Sequence, residues 1–195
     1  MSTNTQAGAW VFHFQESSMS FELIDSESIY NGRAFHIRRD HVRLPDGRST
    51  KLDIVEHIGS AVIVPVDDDR NMYFVRQYRH AAGLDMLELP AGTLEEGEDP
   101  LVCAQREVRE ETGMAAGSIC EIGGFYLAPG YSTEFMQVYL ATDLHHDPLD
   151  ADADEFLSVE KIPVTEALRM AETGKLPDAK TLAALLLAKP HLANA

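Results

Sequence analysis

The chain is short of basic side chains. Sixteen Lys and Arg residues face 32 Asp and Glu among its 195 residues, for a formal net charge of −16. That shortage argues against a binder of nucleic-acid backbone, because such binding needs clustered Lys and Arg to displace counterions. It also suits an enzyme of anionic substrates poorly, unless a cation stands between protein and substrate. Cysteine is scarce too: Cys103 and Cys120 alone are too few for a disulfide framework, so a reduced, cytoplasmic setting is expected. No basic start followed by an apolar run marks a signal peptide. The apolar stretches at residues 10–14 and 182–188 are far too short to span a bilayer, so no membrane partner is expected. Repeats and low-complexity tracts are absent. What remains is a chain that is 45% hydrophobic, enough to build the core of one ordinary domain.

The pattern along the chain divides into three parts. Residues 1–19 read as an extension. Residues 20–57 read as a small antiparallel β-subdomain. Its strand-like runs at 21–24 and 34–38 flank Asn31-Gly32, and those at 41–44 and 51–55 flank Pro45-Asp46-Gly47. From residue 58 to 195 a larger unit follows. Its run at 61–66 is continuously apolar, as expected of a strand covered on both faces. Further strands are predicted at 72–78, 87–90, 119–126 and 135–141. A helix is predicted over 99–112, with Pro100 in its first turn and Gly113 beyond its end. Two more are predicted at 164–173 and 179–188, with Thr165 and Asp178 as N-caps. The fold class is α+β, with helices sandwiching a mixed sheet.

Chemistry concentrates on the first helix. Glu107, Glu110 and Glu111 stand at i, i+3 and i+4 and share one face. Three carboxylates together repel, and Mg²⁺ offsets this well, since it prefers hard oxygen ligands and substrate phosphates. The bland alternative is a solvated acidic face balanced by Arg106 and Arg109. The context decides between the two. Gly92 is followed by five residues and then Glu98, and seven more lead to Arg106-Glu107-Val108-Arg109-Glu110-Glu111-Thr112-Gly113-Met114. This is similar at every specified position to the Nudix signature GX5EX7REUXEEXGU. At average residue usage a chance match is on the order of one in a million.

The resemblance implies a Nudix α/β/α sandwich and a Mg²⁺-dependent hydrolase, with Mn²⁺ as a substitute. Glu107 and Glu111 would be metal ligands, Glu110 a further ligand or its neighbour, and the carbonyl of Ala91 would complete the set. Glu98 and Arg106 would hold the loop against the helix. Gly92 and Gly113 also have a plain reading as backbone punctuation. Outside the signature, Arg76-Gln77-Tyr78-Arg79, Leu87-Glu88-Leu89-Pro90-Ala91-Gly92, Ala128-Pro129-Gly130-Tyr131-Ser132-Thr133-Glu134 and Asp178-Ala179-Lys180-Thr181-Leu182 resemble the ADP-ribose pyrophosphatase branch. Pro129 falls 15 residues after the signature ends, the offset typical of that branch.

The branch resemblance implies a homodimer that exchanges the β-subdomain, and a small-molecule nucleoside-diphosphate substrate. The substrate-binding residues it implies are Arg79, Ala91, Gly92, Gly130, Glu134 and Arg33. Arg79 would meet the diphosphate, its plain alternative being a surface ion pair. Glu134, from the partner, would meet the adenosine or ribose end, unless it is an ordinary loop carboxylate. Tyr30 and Phe35 could stack on a base or pack in the core. The chain departs from the branch at 150–156, where Ala153 stands in one register for a usual Glu. Glu155 is then the candidate base or extra metal ligand, with Asp152 or Asp154 as substitutes. His145-His146 is read as a solvent-exposed loop pair. The expected substrate is ADP-ribose. The alternatives are GDP-mannose, another nucleotide sugar or NADH, a silent nucleotide-binding module, or an acidic domain unrelated to nucleotides.

Overall fold

A computed structural model describes residues 20–150 and 156–192. Strands β1 (Glu22–Asn31), β2 (His36–Arg43) and β3 (Ser49–Glu56) form an antiparallel sheet in that order. Expectation and structure differ in two respects here: the run at 21–24 continues to Asn31 as β1, and the runs at 34–38 and 41–44 are a single strand, β2. The β2–β3 turn closes with Gly47 N–H donating to the Leu44 carbonyl at 2.9 Å. Gly47 has φ of 85°, a left-handed conformation that disfavours other residues. Every residue of β1 is exposed.

The second region contains β4 (Ser60–Pro65), β5 (Asn71–Arg79), β6 (Leu84–Glu88), β7 (Ala91–Thr93), helix α1 (Pro100–Thr112), β8 (Met114–Tyr126), β9 (Phe135–His146), β10 (Leu157–Pro163), α2 (Val164–Glu172) and α3 (Ala179–Leu192). One sheet runs β7-β4-β9-β8, with β4 and β9 parallel and the other pairs antiparallel. The other runs β10-β5-β6 and is antiparallel throughout.

Strand β4 shows how the layers arise. Its side chains alternate between faces. Val62 and Val64 join Phe74, Leu185 and Ala188 in the larger core, and Ala61 and Ile63 join Cys103, Ala104 and Val108 of α1 in the smaller one. Both faces are covered, and for that reason the run is unbroken by polar residues. Helix α1 starts at Asp99, whose carboxylate accepts from Leu101 N at 2.8 Å. It ends at Gly113, left-handed at φ 73° with its N–H on the Arg109 carbonyl.

Three local expectations are corrected. Thr165 does not cap α2: Pro163 holds that position and has no N–H, while Val164 N donates to the Arg70 carbonyl at 3.0 Å. His145 and His146 lie in the last pairs of β9, opposite Ala115 and Met114, rather than in a loop. Strands β7 and β10 were not foreseen. The first is only three residues long, and the second has no clean alternation. Among the described residues no helix is long and apolar enough to cross a membrane.

Candidate active site

One face of α1 buries acid. Glu107 and Glu111 are 7% and 4% exposed, although both are carboxylates. They lie against the backbone of β7. Ala91 N–H donates to Glu111 Oε2 at 3.0 Å, and a Cβ built on Gly92 would fall 1.7 Å from Glu107 Oε1. Gly92 is thus required by side-chain room. The strand can approach the helix only because that position is bare.

Arg106 offsets much of the acid. Its Nε and Nη2 donate to both oxygens of Glu98 at 3.1 Å. Its Nη1 donates to Glu107 Oε1 at 2.6 Å and to Glu110 Oε2 at 2.9 Å. Glu98 also accepts from Glu95 N at 2.9 Å, so the fork ties the loop before α1 to the helix. The hydrogen bond from Arg106 holds the Glu98 carboxyl below its usual range, against the opposing effect of burial.

These groups wall a cleft of about 620 Å³ with Arg79, Glu88, Asp178 and Lys180. Arg79, from the end of β5, makes a bidentate pair with Glu88: Nε to Oε1 at 3.0 Å and Nη2 to Oε2 at 2.7 Å. The Glu88 side chain is 2% exposed, and Lys180 also donates to its Oε2. Burial pushes the Glu88 carboxyl up, but the hydrogen bond from Arg79 and the charge of Lys180 outweigh it and leave it lowered. Lys180 also meets Asp178 Oδ2 at 2.8 Å, and that same oxygen accepts from Thr181 N at 3.1 Å at the start of α3.

The remaining predicted residues fall at varying distance from this centre. Glu134 lines the cleft of its own chain, where its Oε1 accepts from Ser60 Oγ at 3.0 Å. Its loop is held to β3 by Val55 N on the Tyr131 carbonyl at 2.7 Å and Thr133 N on the Val55 carbonyl at 3.0 Å. Gly130 is exposed at the turn of that loop, outside the wall of the cleft. Arg33 lines a second cavity of about 620 Å³ that shares Gln77, Arg79 and Thr93 with the first. Tyr30 and Phe35 are 54% and 41% exposed with ring centroids 6.3 Å apart, so neither is a core residue. Glu155, Asp152, Ala153 and Asp154 lie outside the described residues.

Sequence reasoning missed Ser60, Gln77, Glu88, Asp178 and Lys180 as cleft residues. Glu88 had a visible cue: a carboxylate between Leu87 and Leu89 in an apolar run needs a buried cation. The partner Lys180 is 92 positions away, and no local pattern links the two.

The donor chemistry of the α1 face fits Mg²⁺, since every candidate atom is a hard oxygen. Among the described residues, no three His, Cys, Asp or Glu side chains form a ready-made cation site. Arg106 Nη1 occupies the position between Glu107 and Glu110. A cation held by both carboxylates would compete with those two bonds, while Glu98 keeps Arg106 anchored.

The NUDIX domain family matches residues 57–185. The nucleoside diphosphate sugar hydrolase N-terminal domain matches residues 21–51. The chain is 35% identical over 170 residues to the ADP-ribose pyrophosphatase of Bacillus subtilis (strain 168), spanning 86% of this chain and 92% of that protein. It is 38% identical over 175 residues to the ADP-ribose pyrophosphatase of Mycobacterium tuberculosis (strain ATCC 25618 / H37Rv), spanning 85% and 82%. A GDP-mannose pyrophosphatase of Citrobacter koseri is 30% identical over 135 residues, 64% of this chain and 69% of that one. A crystal structure of an ADP compounds hydrolase superposes with a TM-score of 0.80 at 22% identity, over 91% of this chain and 97% of that chain, and shares the fold.

Proposed function

The chain belongs to the NUDIX family of hydrolases, and we propose that it hydrolyses the diphosphate of ADP-ribose to AMP and ribose 5-phosphate in a reaction that depends on Mg²⁺, with Mn²⁺ as a substitute. The observation that carries this reading is that one cleft is lined by Glu107, Glu110 and Glu111 together with Arg79. A diphosphate needs cationic charge at both ends of its reacting centre. The 35% and 38% identity to two ADP-ribose pyrophosphatases supports the choice of substrate.

In this reading Glu107, Glu111 and Glu110, with the Ala91 carbonyl, hold the metal. When bound, it supplies an activated water and neutralises charge on the phosphates. The residues of the chain do the remaining work. Arg79 grips the diphosphate with a guanidinium fork. Arg106, pinned by Glu98, fixes the loop and helix. Gly92 admits the Glu107 carboxylate. Glu155 is our candidate for the proton acceptor. Arg33 and Glu134 serve the nucleoside and ribose end, with the Gly130 loop alongside.

We also propose the homodimer with an exchanged β-subdomain of residues 20–57, against a hydrolase domain of 58–195. Leu23 and Tyr30 on β1, and Phe21 just before it, are each more than half exposed, and a partner would cover them. Light scattering tests this: a monomer at micromolar concentration would refute it. The free thiols of Cys103 and Cys120 accord with a cytoplasmic setting.

The test of function is product formation from ADP-ribose, GDP-mannose, NADH and dNTPs, with Mg²⁺ and with chelator. We expect AMP from ADP-ribose, abolished by chelator and well above the others. The GDP-mannose pyrophosphatase relative favours a nucleotide sugar as the second reading. A preference for GDP-mannose would replace the first. Binding of ADP-ribose without turnover would mark a silent module.

A further inference from the structure

We infer that Glu88 is a positioning residue that fixes the Arg79 guanidinium toward the cleft, and that Lys180 and Asp178 hold Glu88 in turn. The inference rests on reading Arg79 as the contact to the diphosphate. Arg79 stands at the last position of β5, with its side chain 41% exposed. Left alone, such a side chain samples many rotamers, and ordering it on binding weakens affinity.

Glu88 removes that freedom. Both of its oxygens are used, one by Nε and one by Nη2 of Arg79, so the guanidinium plane is fixed by two parallel bonds. Nη1 makes no hydrogen bond among the described residues, and it belongs to a side chain that lines the cleft. The fork therefore has one edge held by protein and the other available for a phosphate oxygen.

The holder is itself held. Glu88 is almost fully buried and would rise in energy steeply without cations around it. Lys180, 9% exposed, supplies the second one. Asp178 balances Lys180 through the same Oδ2 that accepts from Thr181 N and, at 2.6 Å, from Thr181 Oγ1. Thr181 Oγ1 also accepts from Leu89 N at 2.9 Å, which ties the start of α3 to the residue after Glu88. Two cations and two carboxylates leave the group neutral, so Arg79 is set before substrate arrives. Apolar residues of similar volume would stabilise the fold as well. A charged quartet on the cleft wall is therefore better explained by the orientation it gives to Arg79.

The test is steady-state hydrolysis of ADP-ribose with Mg²⁺ by wild type, Arg79→Ala, Glu88→Gln and the double variant Arg79→Ala/Glu88→Gln, with folding checked by circular dichroism and melting. Glu88→Gln is expected to raise KM about tenfold, the worth of a charge-assisted hydrogen bond, with kcat within about twofold. The double variant is expected to match Arg79→Ala alone, because Glu88 acts only through Arg79. A purely structural role predicts that the two effects multiply, and that result would overturn the inference. So would an unchanged KM in folded Glu88→Gln. Should Glu88→Gln fail to fold, Glu88→Gln/Lys180→Met removes both buried charges, and the same rise in KM is required of it. An unchanged KM in Arg79→Ala, or a wild type inactive on ADP-ribose, would instead overturn the premise, and the inference with it.

Discussion

Apart from the buried Asp40, which accepts from Ser26 and Arg38, the N-terminal sheet and the cleft handle charge in opposite ways. On the sheet, Arg39 pairs with Asp53 at 2.6 Å and Arg43 with Glu22 at 3.2 Å, and every one of those side chains is between 38% and 72% exposed. Around the cleft, Glu88 and Lys180 pair at 2% and 11% exposure. Glu107 and Glu111 are buried beside them. Exposed pairs are screened by water and salt and are worth little each. Buried ones are costly to break, because the surviving partner is stranded. The same residue types thus decorate one region and organise the other.

The comparison is sharpened most by Glu111→Gln. Ala91 N–H can still donate to the amide oxygen, so the fold should survive while one anionic oxygen at the cleft is lost. We expect kcat to fall by about 10³-fold or more with an unchanged melting midpoint. A near-wild-type rate would remove Glu111 from the site. Gly92→Ala comes next. Its new Cβ meets the Glu107 carboxylate at 1.7 Å, and a side-chain end moves more readily than backbone. The damage should therefore appear as a fall in kcat of about 10²-fold, with little change in melting. A large loss of stability with the rate preserved in the folded fraction would reverse that assignment.

Lys180→Met probes the buried pair through stability. Glu88 keeps Arg79 but loses its inner cation, and breaking such a pair costs about 3 kcal/mol or more. For a chain of this size the melting midpoint should drop by roughly 6–12 °C. A drop within error would mean that the pair is no more than a surface contact, and the contrast between the regions would fail.

What the sequence made legible follows the same division. Helix α1 was readable because Asp99, Pro100 and Gly113 punctuate it locally and its acidic residues recur at helical spacing. The signature residues were readable because they lie within one stretch, 92–114. The pairing of Glu88 with Lys180 was hidden because 92 positions separate them. Strand β7 escaped because three residues carry no period. The cap of α2 was misplaced at Thr165 because a hydroxyl at a helix start is a good local cue, whereas here Arg70, from the turn before β5, meets the helix start through its carbonyl. Local chemistry is written locally, and long-range pairing is not.

The smallest effect belongs to the exposed pair. The hydrogen bond from Arg39 lowers the Asp53 carboxyl below its ordinary value of 3.8, with burial opposing. A depressed folded-state value means that the contribution is complete above that ordinary value and is lost as pH falls through the folded one. Glu88 obeys the same sign from its ordinary value of 4.5. Both regions therefore favour neutral over acid pH, but in unequal measure. Arg39→Ala should leave the melting midpoint unresolved from wild type at pH 7 and at pH 3, with no dependence on added salt beyond that of wild type. Glu88→Gln should flatten the acid side of the wild-type stability curve, because the group that must take up a proton on acidification is gone. Melting each variant across pH 3–7 checks both expectations. An Arg39→Ala change as large as that of Glu88→Gln would show that exposure is not what separates the two regions.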